Sequence, residues 1–153
     1  MDGTGLDFPD FDAARAAALL DANNGGSGGL PHFLGMTFVE VGAGRVVCEL
    51  PVTEALLNPF GAAHGGVMSA LVDHVLGTVC SVVVPPGAWP ATSAYTVNLL
   101  APARVGTMRA TSTIVALSRR TAVVRIDVTN DGRLVGAAQG TVTIMAPRTL
   151  PPG

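Results

Sequence analysis

The stretch Gly65 to Val84, GGVMSALVDHVLGTVCSVVV, constrains the fold more than any other part of this 153-residue chain. It is long, nearly free of polar residues and opens on two glycines after a loop containing Pro59 and Gly61, a pattern that predicts one helix. Apolar residues surround its axis on every side, and a helix of that kind has to lie in the protein interior. The rest of the chain must therefore wrap it. Asp73 and His74 interrupt the run, which argues against a membrane span. The first residues also lack the basic and apolar regions of a leader, so a soluble cytoplasmic protein is expected.

The wrapping is readable as extended segments. From Met36 to Val52 two runs rich in Val, Phe and Leu flank Gly42-Ala43-Gly44, as in a β-hairpin. After the loop Pro85 to Pro90, four further runs follow: Thr92 to Leu100, Thr107 to Ser118, Thr121 to Thr129 and Arg133 to Met145. In the third, Ala122, Val124, Ile126 and Val128 alternate with Thr121, Arg125, Asp127 and Thr129, the period of a sheet with one wet face. Asn130-Asp131-Gly132 supplies a hairpin turn. The expected fold class is α+β, an antiparallel sheet of five to six strands wrapped around one long buried helix. A short helix is expected ahead of it at Phe11 to Ala22, with Asp10 and Asp12 placed to cap it. The sequence NNGGSGG, Asn23 to Gly29, reads as a flexible joint, and the Pro-rich end from Ala146 to Gly153 as a disordered tail. The organisation is thus a leading segment 1–29, one main domain 30–146 and a tail 147–153.

Composition narrows the function. Charged residues make up 13% of the chain, about half of the roughly 25% usual in soluble domains, so sister subunits are expected to cover part of the surface. The net charge is -2 and no block of like charges occurs, which disfavours nucleic acid as the main ligand. All nine basic residues are Arg, so a Schiff-base or phosphate-loop Lys is excluded. Cys48 and Cys80 have no paired spacing and read as small buried hydrophobes. His32, His64 and His74 are scattered and give no support to a metal site.

Several residues invite both a chemical and a structural reading. A carboxylate in an apolar helix costs several kcal/mol to bury uncompensated, so Asp73 either serves chemistry or bonds neighbouring backbone. Gly65 and Gly66 open the helix where unpaired N–H groups gather, although glycine also suits any tight joint. Asn58, which can donate and accept, either holds a ligand or forms a turn before Pro59. His64 either meets a ligand or bonds the loop backbone as a buried histidine. Ser69 and Gly77 share the Asp73 face, where small residues leave room for a ligand or for close packing.

The segment Asn58 to Gly77, NPFGAAHGGVMSALVDHVLG, resembles the hotdog-fold acyl-CoA thioesterases, specifically the phenylacetate-degradation (PaaI-like) subgroup of the 4-hydroxybenzoyl-CoA thioesterase superfamily. LGMTFVEVGAGRVVCELPV, Leu34 to Val52, is similar to the subgroup's opening hairpin, and SRRTAVVRIDVTNDGRLVGAAQGT, Ser118 to Thr141, to its closing hairpin. The resemblance implies that Asp73 activates water or attacks the thioester directly, and that the Gly65 N–H polarises the carbonyl. It implies a hydroxyl near the nucleophile, at Thr92 or Ser93. It also places Arg119 and Arg120 where they meet CoA phosphates or remain solvated turn residues.

Eight residues from Gly65 to Asp73 span about 12 Å of helix, whereas attacker and oxyanion donor must both touch one carbonyl group. One helix hardly supplies both. The expected site therefore takes its oxyanion donor from one subunit and its carboxylate from the other, in a homodimer that builds a homotetramer. The reaction expected is hydrolysis of an acyl-CoA to free acid and CoA, without metal or redox cofactor. Two alternatives stay open: a dehydratase or hydratase using His64, and an acyl-CoA-binding module that cleaves nothing.

Overall fold

The computed structural model describes residues 5–22 and 28–147. The order of elements is α1 (Ala13–Ala22), α2 (Gly29–Phe33), β1 (Thr37–Gly42), β2 (Arg45–Pro51), a 3-10 turn (Glu54–Leu56), α3 (Gly65–Ser81), β3 (Trp89–Leu99), β4 (Thr107–Leu117), β5 (Thr121–Asn130) and β6 (Arg133–Met145). The six strands form one antiparallel sheet in the order β1-β2-β4-β5-β6-β3. This is the expected α+β architecture, a sheet curved around one long helix. Asp131 and Gly132 turn the β5–β6 hairpin with φ of 49° and 85°, the left-handed pair that a two-residue loop between right-twisted strands requires.

Helix α3 lies on the concave face. Met68, Leu71, Val72, Val75, Leu76 and Val79 are buried against the sheet, each large side chain contributing roughly 1.5 to 3 kcal/mol of burial. Two glycines of β6 let the helix come close. A Cβ at Gly136 would collide with the Met68 thioether, and one at Gly140 would stand 2.7 Å from Leu76 Cδ2 and 2.9 Å from Tyr95 Cβ.

The expected burial of α3 on every side is corrected by the structure. Gly66 and Asp73 are exposed, and Ala70, His74, Gly77 and Ser81 are only half-buried. The sheet covers one side of the rod and leaves this stripe open in the protomer, so Asp73 is an exposed carboxylate on a largely apolar helix. Other differences are local. Helix α1 starts two residues late because Asp12 caps it, its carboxylate accepting the Arg15 N–H at 2.9 Å. β3 begins at Trp89 rather than Thr92, taking in Pro90, which an edge strand tolerates because its outer N–H groups need no partner. The helix α2 and the 3-10 turn were not expected. The glycine-rich joint and the tail fall largely on residues 23–27 and 148–153, outside the described residues. No helix among the described residues is long and apolar enough to cross a membrane.

Candidate active site

The start of α3 is capped by its own flanking residue. His64 has extended backbone, its Nδ1 accepts the Gly66 N–H at 2.9 Å, and its carbonyl accepts the Val67 N–H at 2.9 Å. An accepting Nδ1 places the proton of the neutral imidazole on Nε2. His64 thus bonds backbone as one of its two readings held, but as an exposed residue rather than a buried one. These bonds satisfy the first turn except at one point. The Gly65 N–H has no acceptor among the described residues, and it sits where the helix dipole is positive.

Asn58 organises the loop in front. Its Oδ1 accepts the N–H groups of Phe60 at 2.9 Å and Ala62 at 3.2 Å, a turn-forming role that leaves its Nδ2 donors unused by the described residues. Arg104 holds the same loop from the other side, its Nη1 donating to the carbonyls of Phe60 at 2.8 Å and Gly61 at 3.2 Å. Asn58 and Gly65 open into one cleft of about 280 Å³, walled by Met68 and by the segment from Leu99 to Ala103.

Asp73 opens elsewhere. With Arg15, His74, Gly77, Thr92 and Trp89 it lines a cleft of about 430 Å³ on the uncovered side of α3. The Thr92 hydroxyl is exposed there, whereas the Ser93 hydroxyl is bonded to Thr143 at 2.5 Å. His74 stacks on Phe38, ring centroids 4.8 Å apart. Burial pushes its imidazole below the ordinary value of 6.5, with the Asp73 charge working in the opposite direction.

Of the residues singled out from sequence, the protomer brings together Asn58 with Gly65, and Asp73 with Gly77 and Thr92. It joins the two sets nowhere. Ser69 lies one turn before Asp73 and lines neither cleft, and the Gly66 N–H is taken by His64. Arg119 and Arg120 are exposed at the β4–β5 turn and border a separate cleft of about 530 Å³ with Pro85 and Thr143. Sequence reasoning missed Arg104, which ties down the Asn58 loop, and Arg15, which lines the Asp73 cleft, both placed by tertiary packing that no local pattern announces. The two thiols offer no competing nucleophile, since burial pushes Cys48 and Cys80 up to about 12.

A six-stranded antiparallel sheet around one central helix is the hotdog architecture, and a carboxylate with a free helix-terminal N–H suits acyl transfer. A sequence profile of the thioesterase superfamily matches residues 60–137. A 1,4-dihydroxy-2-naphthoyl-CoA hydrolase of Listeria monocytogenes is 30% identical over 103 residues, 67% of this chain and 84% of the relative. The human acyl-coenzyme A thioesterase 13 is 30% identical over 108 residues, 69% of this chain and 75% of the relative. Among solved structures, a thioesterase of Haemophilus influenzae superposes with a TM-score of 0.77 at 26% identity, covering 83% of this chain and 90% of that one. The PaaI protein of the E. coli phenylacetic acid degradation operon superposes with a TM-score of 0.78 at 23% identity, covering 88% and 96%, a likeness of fold. The chain belongs to the thioesterase superfamily and is a thioester hydrolase of that family.

Proposed function

We propose that the chain hydrolyses an aryl-, short- or medium-chain acyl-CoA to the free acid and CoA, in a site shared by two subunits of a cytoplasmic homodimer that pairs into a tetramer. The observation that carries this reading is the separation of Gly65 from Asp73: each lies in its own cleft, and each lacks what the other holds. A partner related by a two-fold axis brings one subunit's Gly65 to the other's Asp73, twice per dimer. Supporting it, the edge strand β3 leaves Trp89, Tyr95 and Leu99 exposed, apolar surface that a second copy covers. The naphthoyl-CoA and acyl-CoA named for the relatives supply the substrate class.

In this reading Asp73 takes a proton from a water whose oxygen adds to the carbonyl carbon, or adds there itself to give an acyl-Asp73 anhydride that a water then hydrolyses, freeing the acid, the carboxylate and a proton. The carbonyl oxygen becomes an oxyanion held by the Gly65 N–H, with Asn58 Nδ2 and His64 Nε2 as neighbouring donors. Collapse of the tetrahedral intermediate breaks the carbon–sulfur bond. CoA leaves as a thiolate and takes up the proton. Thr92 orients the water or carboxylate, Gly77 leaves room beside Asp73, and Arg119 and Arg120 meet the CoA phosphates. A thiol-release screen across CoA esters, with sedimentation to read the assembly, tests this. Binding without thiol release, or a monomer that is fully active, would overturn it.

A further inference from the structure

Beside the Asp73 cleft lies a second hollow to which the hydrolytic reading gives no role. It has a volume of about 360 Å³ and is walled by Leu19 and Ala22 of α1, by Met36 and Phe38 at the start of the sheet, and by His74 of α3. His74 lines both this hollow and the Asp73 cleft, so the two adjoin at one imidazole. Arg15 borders the Asp73 cleft. Positions 15, 19 and 22 fall on one face of a helix, so one face of α1 borders both the cleft and the hollow.

This helix is anchored well enough to shape a ligand. The Asp12 N–H donates to the Val82 carbonyl at 2.8 Å, just past the end of α3, and Ala16 is buried. The volume stands at the lower end of the roughly 300 to 1,000 Å³ of small-ligand pockets, which suits one ring and not a long chain. Pro31, His32, Gly35 and Thr37 complete the walls, which carry no Arg, Asp or Glu, so a cationic acyl group has no ion partner there. The stacked rings of Phe38 and His74 give the hollow an aromatic side that favours a planar group.

We infer that α1 is a wall of the acyl-binding site: the hollow between Leu19, Ala22, Met36, Phe38 and His74 takes a ring-sized acyl group whose thioester lies beside Asp73. This rests on the hydrolytic reading above. Specificity then depends on the leading helix as well as on the hotdog core, with Leu19 and Ala22 as the residues that set it.

Calorimetric titration with two non-hydrolysable thioethers, S-methyl-CoA and S-(2-phenylethyl)-CoA, tests the inference without requiring turnover. The wild type is expected to prefer the phenylethyl compound by about tenfold or more, as burial of a ring predicts. Ala22→Trp, which fills the hollow from an exposed position, should abolish that preference. Leu19→Ala, which widens it, should shift preference towards S-(naphthylmethyl)-CoA. Ala17→Trp, on the opposite face of α1, should keep the wild-type ratio. Equal binding of both thioethers by the wild type, ratios unmoved in Ala22→Trp and Leu19→Ala, or an equal shift in Ala17→Trp would overturn the inference. Thiol release with unmoved ratios removes only the acyl wall. Ratios that move as expected without any thiol release remove only hydrolysis.

Discussion

Gly65 and Asp73 stand on one helix yet open into different clefts of the protomer. The helix fixes their separation at about 12 Å along its axis, so no side-chain rotation lets the two groups meet one carbonyl. The composite site proposed above would resolve this, and it makes the roles of the two residues separable by experiment.

Asp73 is exposed and makes no hydrogen bond or ion pair among the described residues. Asp73→Asn should therefore change protomer stability by no more than about 0.5 kcal/mol. Loss of the base or nucleophile should lower kcat by about 10² to 10⁴. Steady-state thiol release and thermal unfolding, measured on the same preparation, check both. Wild-type turnover in this variant removes Asp73 from the chemistry.

Gly65→Pro removes the proposed oxyanion donor with little disturbance to the helix. Position 65 is the first helical residue, where proline is favoured, and His64 already has the extended backbone, φ -59° and ψ 139°, that a following proline demands. The ring's Cβ would stand 2.8 Å from Leu99 Cδ1, the tip of an exposed side chain that can turn away. The expected loss in kcat is about 10² to 10³. If the site is shared, mixing this variant with Asp73→Asn and allowing subunits to exchange should restore about a quarter of wild-type activity, because half the dimers then carry one intact site. No recovery after demonstrated exchange counts against a shared site.

The packing of α3 on β6 predicts an order of stabilities. Gly140→Ala sets a methyl against Tyr95 Cβ and both Leu76 methyls, and a β-carbon cannot swing away, so a loss of about 1 to 3 kcal/mol is expected. Gly136→Ala meets chiefly the Met68 thioether, a flexible chain that can change rotamer, so its cost should be smaller. Chemical denaturation of both variants measures the difference, and equal costs would show that the helix position is not set by Tyr95 and Leu76.

Much of this fold could be read from local pattern. The alternation of Ala122, Val124, Ile126 and Val128 with mostly polar neighbours and the Asp131-Gly132 turn placed β5 and β6 almost to the residue, because side-chain period and hairpin geometry are local properties. Pro90 hid the first turns of β3, since the sequence does not say which strand will be an edge. The exposure of Asp73 was hidden for a related reason. An apolar helix announces that it will be covered, but not whether its own sheet or a second copy does the covering. Asn58, Gly65 and His64 were legible as a cluster because they are close in sequence. Arg104 reaches that loop from more than forty residues away and Arg15 borders the Asp73 cleft from a separate helix, so no spacing rule marks either.

His74 ties stability to pH. Burial lowers its folded pKa below the ordinary 6.5, with Asp73 opposing, so over the window beneath 6.5 the unfolded chain binds the extra proton first. Stability rises with pH wherever the unfolded state binds more protons. The contribution of the neutral imidazole is therefore complete above 6.5 and is lost as pH falls below that value towards the lower folded one. His74→Phe keeps a ring against Phe38 and removes the titration. Its melting temperature should fall less between pH 7 and pH 5 than that of the wild type, a difference that cancels the contributions of the carboxylates common to both. Parallel curves would mean that the His74 imidazole takes up its proton without leaving its place beside Phe38.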